Sequence, residues 1–303
     1  MKVGLSACSD GQLREWEKQN IELKKHLREM GIEAMEAEHI YAKMDAFSGT
    51  EAERAADLMG FYKDDSVEAI YDISGGDLAN GVLKWLDWDV IANSHKAFWG
   101  YSDLTTVINA IYAKTGKASV LYQVKNMVYD RGELQRKRFA DYISGENTEL
   151  FDIWYDFLQG KSMEGIVIGG NLRCFLKLAG TEFWPDMRGK ILLLESLGGE
   201  SSAIATGLNQ LDLLGVFQQV EGVLLGTFTQ YEKAGLRMGI YDLLKMHIPD
   251  NLPVAQTREI GHGADSKAIV IGRKQRFEIG SESENAEIGI THHPWPVISR
   301  KRF

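Results

Sequence analysis

One serine stands where the sequence changes from a strand pattern to a helix pattern. Ser102 lies in the stretch FWGYSDLTTVINAIYAKTG, residues 98–116. A serine in a strand-to-helix turn is exposed, and the amide of the next residue, Asp103, can donate to an oxyanion. The pattern is not GxSxG, because Leu104 occupies the position of the second glycine. Ser102 could instead cap the helix, and this stretch taken alone favours the cap.

A histidine and a glutamate could complete a nucleophilic site. His262 lies between two glycines in REIGHGADSKAIVIG, on a predicted loop before an apolar strand. The glycines leave room around the ring and permit unusual backbone angles, although His262 could equally be an ordinary polar loop residue. Glu195 ends the run ILLLES, and a carboxylate at the end of a buried strand needs a partner such as an imidazole N–H. The order of a triad would be Ser102, Glu195, His262.

The GGD sequence at residues 75–77 offers a second backbone donor. It follows the predicted strand VEAIYDIS, and glycines after a strand allow the main chain to approach a ligand closely. A tight turn without a ligand would explain the same residues. The run GGDLAN is neither a dinucleotide fingerprint nor a phosphate-binding loop.

Composition and charge exclude several classes of protein. A formal net charge of −9 and a pI near 5.4 argue against nucleic-acid binding. The only two cysteines, Cys8 and Cys174, are far apart and predict neither a disulfide framework nor a zinc site. His292 and His293 are adjacent, but they lack the clustered carboxylates of a metal site, so no metal is predicted. No signal peptide or membrane span is evident, which predicts a cytoplasmic protein without a membrane partner.

Alternating strand and helix patterns position these residues. The first half predicts strands at 2–8, 32–41, 67–74, 97–101 and 118–124, separated by helices. This alternation predicts a doubly wound, mostly parallel sheet, in which ligands bind beyond the carboxyl ends of the strands. A polar, mostly helical stretch from about 130 to 161 leads to a second region. Its predicted strands are 165–172, 190–196, 220–228 and 268–272, with helices at 201–217 and 237–247. We therefore expect an α/β protein with an N-terminal domain over 1–150 and a β-rich α/β domain over 151–303.

Several collinear blocks resemble a known family. The segment from RAADLMGFYKDD to INAIYAKTG, residues 54–116, is similar to the N-terminal signature of the LD-carboxypeptidases of serine peptidase family S66, which include the microcin C self-immunity proteins. The sequences GGNL, ILLLES and IGHG match later blocks of that family in order. The resemblance implies Ser102 as nucleophile, His262 as general base and Glu195 as its orienting partner. It also implies an oxyanion hole from the amides of Gly76 and Asp103, no cofactor, and a homodimer.

The chain departs from the family pattern near the expected cleft. Leu78 stands where a small polar residue is common, and Ser196 stands where a second carboxylate is expected. The segment 125–165 is also richer in charge than in the family. These departures leave the three catalytic candidates intact but bear on the substrate.

Two substrates of a peptidase-like enzyme, a general esterase activity and one binding function remain open. The first substrate is the L,D amide bond to the terminal D-alanine of muropeptide tetrapeptides, whose free carboxylate would favour a cation such as Arg173 or Arg258. The second is the carboxamide of a peptidyl or aminoacyl nucleotide, which would favour aromatic surfaces, although aromatic residues at such positions commonly belong to the core. The alternatives are a general serine esterase and a non-catalytic small-molecule binding protein. The predicted substrate contacts are Gly75, Asp77, Trp99 and Arg173, and the further aromatic candidates are Trp154 and Trp184.

Overall fold

The computed structural model describes residues 1–279 and contains two six-stranded sheets. His292 and His293 lie outside the described residues. The strands are β1 Lys2–Ser6, β2 Glu33–Glu36, β3 Ala69–Asp72, β4 Ala97–Gly100, β5 Ser119–Leu121, β6 Asp156–Gln159, β7 Ser162–Asn171, β8 Lys190–Ser196, β9 Gly222–Phe228, β10 Val254–Gln256, β11 Ile269–Ile271 and β12 Lys274–Glu278.

The first sheet has the order β11-β5-β4-β3-β1-β2. Strands β1 to β5 are parallel, and β11 is antiparallel to β5. Strands β3, β4 and β5 are buried along their whole length because the sheet is covered on both faces. Parallel strands end at the same edge, so the turns after β3 and β4, which carry Gly76 and Ser102, lie close together.

The second sheet has the order β12-β7-β8-β9-β10-β6. Its four inner strands are parallel, and the two outer strands, β12 and β6, are antiparallel to their neighbours. Every residue of β8 is buried, including Glu195 near its carboxyl end. The expected α/β architecture with a doubly wound N-terminal part and a β-rich C-terminal part is confirmed.

Nine α-helices cover the sheets within residues 1–279. They are α1 Glu17–Glu29, α2 Glu51–Lys63, α3 Trp88–Asn93, α4 Thr105–Thr115, α5 Gly132–Ser144, α6 Leu172–Leu176, α7 Ser201–Leu213, α8 Thr229–Lys233 and α9 Ile240–Lys245. A capping box between Thr50 and Glu53 begins α2, and Gly116 with a positive φ of 69° ends α4. One apolar core lies on each face of the first sheet, and the core that contains Ile108 of α4 continues into the second sheet around Leu193.

Helix α4 joins the two sheets through buried polar contacts. Asn109 accepts a hydrogen bond from the Gly169 amide at 2.8 Å and donates to the Gly169 carbonyl at 2.9 Å. The amide of Asn171 donates to the Thr105 hydroxyl at 3.0 Å, and the Thr106 hydroxyl donates to the Cys174 carbonyl at 2.9 Å. Because α4 follows Ser102 directly, these bonds hold the serine against the ends of β7 and β8.

The structure differs from the sequence expectation in three places. The segment predicted as a strand at 268–272 forms β11, which joins the first sheet and not the second. The stretch 130–161 contains one helix, α5, followed by irregular chain and the edge strand β6, so it is less helical than expected. The short helix predicted after the GGD sequence is a 3₁₀ helix over Ala79–Trp85. Among residues 1–279, no helix combines the length and the hydropathy that a membrane span requires.

Replacing Asn109 by alanine tests the contact between α4 and β7. The change leaves the buried amide and carbonyl of Gly169 without partners, so we expect a loss of about 2–3 kcal/mol in the free energy of unfolding. Asn93→Ala is the matched control, because Asn93 also donates to the carbonyl four residues earlier but lies on the surface. Denaturant unfolding of both variants measures the difference, and equal losses would contradict a special role for Asn109.

Candidate active site

Ser102 occupies a constrained turn between β4 and α4. Its φ is 57°, one of three positive φ values at non-glycine positions among residues 1–279. A side chain rarely adopts this conformation unless the surrounding structure enforces it. Gly100 permits the turn, since a Cβ there would lie 2.7 Å from the Leu104 Cβ. The Ser102 side chain makes no capping bond to the helix, so the alternative that it is an N-cap is wrong.

Ser102, His262 and Glu195 form a continuous hydrogen-bonded chain. The Oγ of Ser102 lies 3.1 Å from the Nε2 of His262, and the Nδ1 of His262 lies 2.7 Å from the Oε2 of Glu195. Ser102 and His262 are partly exposed at the cleft, whereas Glu195 is completely buried. The structure therefore brings together three residues that are separated by up to 160 positions in the chain.

The buried carboxylate of Glu195 has three donors. Besides His262, the hydroxyl of Tyr101 donates to Oε2 at 3.1 Å and the amide nitrogen of Asn171 donates to Oε1 at 3.0 Å. Burial, and to a smaller extent the charge of Glu195, raises the pKa of Tyr101 well above its usual value. The phenol therefore remains a proton donor. Asn171 faces Glu195 because the two residues are register partners of the parallel strands β7 and β8. These contacts satisfy a charge whose burial would otherwise be unfavourable.

A rigid loop presents His262. The hydroxyl of Ser266 donates to the carbonyls of Gly261 and Gly263, at 2.5 and 2.6 Å. The side-chain amide of Gln135 donates to the carbonyls of Ala264 and Ser266, both at 2.8 Å. The ring of Tyr101 packs 4.9 Å from the imidazole, centroid to centroid. The loop is thus held by its own Ser266 and by Gln135 and Tyr101 of the N-terminal part.

The GGD turn lies beside Ser102. Gly76 has a φ of 123°, and a Cβ there would lie 2.1 Å from the carboxyl carbon of Asp10. Within residues 1–279 the amide of Gly76 has no hydrogen-bond acceptor, while the neighbouring amide of Asp77 donates to Asp10 at 2.9 Å. Burial and the charge of Asp103 raise the pKa of Asp10. The carboxylate of Asp103 is buried and accepts from the hydroxyl of Ser9 at 2.7 Å.

Two lobes of one cleft meet at Ser102 and Gly76. The larger lobe has a volume of about 1080 Å³ and includes Gly75 and His262, and the smaller one, of about 660 Å³, includes Asp77 and Arg173. Arg173 forms an ion pair with Asp77 and donates to the carbonyl of Gly76 at 3.2 Å. Lys177 pairs with Asp103 at 2.5 Å and with Asp77 at 3.3 Å.

The prediction that Trp99 contacts the substrate is wrong. Trp99 is 3% exposed, packs among aromatic residues of the core, including Tyr71 and Phe139, on one face of the first sheet, and lines neither lobe. Its side chain points there because successive residues of a strand face opposite sides. Trp154 is exposed and Trp184 packs against Phe175; neither of them, nor Arg258, lines either lobe.

Sequence reasoning missed Tyr101, Asn171, Gln12 and Lys125 at this site. Two of them had a signal: Tyr101 precedes the candidate nucleophile, and Asn171 lies near the end of the strand predicted at 165–172. Gln12 and Lys125 had none, because no local pattern shows that the chain after β1 meets the chain after β5.

The fold is that of a two-domain α/β protein, and comparison with known proteins identifies its class. The LD-carboxypeptidase N-terminal domain matches residues 3–123, and the LD-carboxypeptidase C-terminal domain matches residues 164–277. The chain belongs to the LD-carboxypeptidase family. It is therefore a hydrolase of the peptidase class.

Relatives support this assignment over most of the chain. A probable murein peptide carboxypeptidase from Bacillus subtilis is 27% identical over 277 residues, covering 88% of this chain and 86% of the relative. The solved microcin C7 self-immunity protein MccF superposes with a TM-score of 0.82 at 22% identity, covering 91% of this chain and 92% of that one. A muramoyltetrapeptide carboxypeptidase from Oxalobacter formigenes superposes with a TM-score of 0.75 at 20% identity, covering 92% and 96%.

The two glycines that flank His262 provide a test of the loop geometry. Gly261 has a φ of 155°, and a Cβ there would lie 1.7 Å from the Thr227 hydroxyl and 3.2 Å from the Thr227 amide nitrogen. We expect Gly261→Ala to displace His262 and to slow the labelling of Ser102 by a fluorophosphonate by about tenfold or more, as for a misplaced catalytic group.

Gly263→Ala is the matched control on the other side of His262. A Cβ at Gly263 would meet only the ends of the Asp265 and Ser266 side chains, so the labelling rate should fall much less. Mass spectrometry follows the labelling, and thermal unfolding shows whether either variant is folded. Equal rates for the two folded variants would contradict the role assigned to Gly261.

Proposed function

We propose that this chain is a serine carboxypeptidase that hydrolyses the L,D amide bond before the terminal D-alanine of a muropeptide tetrapeptide. The observation that carries the proposal is the chain of hydrogen bonds from Ser102 through His262 to Glu195, at 3.1 and 2.7 Å. The Bacillus subtilis relative is named a probable murein peptide carboxypeptidase, which supports a peptide of this class as substrate.

Proton transfer by His262 begins the proposed reaction. Glu195 accepts from Nδ1 of His262, so the proton of the neutral ring is on Nδ1 and the lone pair of Nε2 faces Ser102. His262 removes the hydroxyl proton as the Oγ of Ser102 attacks the scissile carbonyl carbon. The imidazolium then gives that proton to the leaving amine of D-alanine. Water, activated by the same imidazole, hydrolyses the acyl-enzyme and regenerates Ser102.

The oxyanion of the tetrahedral intermediate would lie between the GGD turn and the start of α4. The amides of Gly76 and Asp103 are the proposed donors, and the Gly76 amide is not used by any acceptor within residues 1–279. Donors that are already oriented stabilise the developing charge without reorganisation, an effect of about 10²–10³ in rate for a single donor. The constrained φ of Ser102 fits this arrangement because it keeps the side chain out of the helix cap.

A second substrate is the carboxamide of a peptidyl or aminoacyl nucleotide. The structural relative MccF has been solved in complex with glutamyl sulfamoyl guanosine, and its fold superposes closely on this chain. The same serine chemistry would apply, although the acyl part and the leaving group both differ between the two substrates. A cytoplasmic, homodimeric enzyme remains the expectation for either one.

The proposal is tested by product analysis with matched variants. Wild-type protein should release one alanine from a purified L,D-tetrapeptide muropeptide, and Ser102→Ala and His262→Gln should each lower kcat by about 10³-fold or more. His39→Gln is the control for His262, because His39 also pairs with a carboxylate, Asp57, at 3.0 Å but lies outside the cleft. Its activity should remain within about twofold of wild type, as for a substitution away from the chemistry.

Three outcomes would change the assignment. Cleavage of a glutamyl sulfamoyl nucleoside in place of the tetrapeptide would select the nucleotide substrate. Binding of either compound without turnover, and without labelling of Ser102, would indicate a non-catalytic binding protein. Undiminished turnover by Ser102→Ala would rule out the serine mechanism.

A further inference from the structure

The larger lobe of the cleft contains a buried cation without a carboxylate partner. Lys125 lies in the 3₁₀ helix Val124–Val128 that follows β5, and its side chain is 1% exposed while lining the same lobe as Ser102 and His262. No carboxylate within residues 1–279 forms an ion pair with it. Burial of an ammonium group is unfavourable unless an anion or several acceptors compensate it.

The contacts of Lys125 hold its ammonium group in one place. The Nζ donates to the Oε1 of Gln12 at 2.5 Å, and the Nε2 of Gln12 donates to the carbonyl of Ile73 at 3.0 Å, which fixes the orientation of the amide. The rings of Trp16 and Tyr129 lie 4.9 and 5.6 Å from the Nζ. One amide oxygen and two aromatic faces satisfy the cation only in part, because an ammonium group has three donors.

The other cations of the cleft are already paired. Arg173 is bound to Asp77, and Lys177 to Asp103 and Asp77, all in or beside the smaller lobe. Burial lowers the pKa of Lys125 to about 8, so the side chain still carries its charge at neutral pH. Among the described residues, Lys125 is the one lysine or arginine that lines the larger lobe, and it forms no ion pair with the carboxylates there, which belong to Asp10, Asp45 and Asp130. The positive charges of the smaller lobe, in contrast, are paired with Asp77 and Asp103.

We propose that Lys125 is a specificity residue that binds a carboxylate of the peptide substrate in the larger lobe. This inference rests on the proposed peptidase function and adds which lobe of the cleft receives a carboxylate of the substrate. A peptide carboxylate can come from the terminal residue that leaves or from an acidic residue of the acyl part. Both offer the same chemistry to the Nζ, and the two sources are separated by the substrates of the test.

Binding measurements on the Ser102→Ala protein test the inference without turnover. Isothermal titration calorimetry gives Kd for three peptides. They are a tetrapeptide that ends in L-Lys-D-Ala, the same peptide with its C-terminal carboxylate amidated, and the same peptide with the acidic residue of its acyl part amidated. We expect Lys125→Met to weaken binding of the unmodified tetrapeptide by about 10–100-fold, as for loss of a charge-assisted contact. One of the two amidated peptides lacks the carboxylate that Lys125 binds. For that peptide, Lys125→Met should change Kd by less than about threefold, because the substituted side chain no longer has a contact to lose.

Two further variants separate recognition from folding. Lys125→Arg retains the charge and should recover part of the lost affinity if it folds. Lys96→Met is the matched structural control: the Nζ of Lys96 also binds only uncharged oxygens, the carbonyls of Phe61, Tyr62 and Asp64, far from the lobes. It should lower the melting temperature without changing Kd.

The outcomes distinguish this inference from the proposed function. Lys125-dependent binding without hydrolysis by the wild-type protein would overturn the peptidase proposal and leave the carboxylate site intact. Hydrolysis with an unchanged KM in Lys125→Met would overturn the carboxylate site and leave the peptidase proposal intact. Equal weakening for all three peptides, or no binding of the tetrapeptide at all, would also overturn the inference.

Discussion

The site depends on one buried carboxylate. Glu195 lies at the end of a strand that is covered on all sides, and its charge is tolerated only because donors from three separate segments meet it there. One donor, Tyr101, belongs to the first sheet, and Asn171 belongs to the second. The need to satisfy this charge therefore ties the two halves of the protein together at the point where His262 must be oriented. The carboxylate oxygens of Glu195 thus accept the hydrogen bonds that join the two halves of the fold and also the one that orients His262.

Helix α4, which follows Ser102, also ties the two sheets together through buried hydrogen bonds, farther from the cleft. Asn109 and Thr105 bind the backbone of β7 where that strand approaches its carboxyl end, and a Cβ on Gly170 would lie 2.7 Å from the Thr105 hydroxyl. Small residues in β7 let the helix come close enough for these bonds. The position of Ser102 relative to Glu195 is thus set by hydrogen bonds between side chains of α4 and the main chain of β7, which are both regular elements of the fold.

Sequence reasoning recovered the parts of the site that local patterns determine. The alternation of strands and helices in the first half predicts the first, mostly parallel sheet, and chemistry-bearing residues at strand ends or between glycines identify Ser102, Glu195 and His262 as candidates. It failed where distant segments meet. Trp99 belongs to the core because its side chain lies on one particular face of β4. The sequence does not reveal that face, because a strand that is covered on both sides is apolar throughout. Lys125 could not be found, because its significance depends on its having no ion-pair partner among residues 1–279, which only the three-dimensional structure shows.

The return of β11 to the first sheet affects how the protein is made. During synthesis the edge of β5 has no partner until β11 emerges, after all the parallel strands of the second sheet. An uncovered edge strand favours association with other chains, so the nascent protein must pass through a vulnerable stage. His262 lies just ahead of β11, and the pairing that covers the edge also brings the imidazole to Ser102. A nascent chain that has not yet reached His262 therefore holds Ser102 without its hydrogen-bond partner.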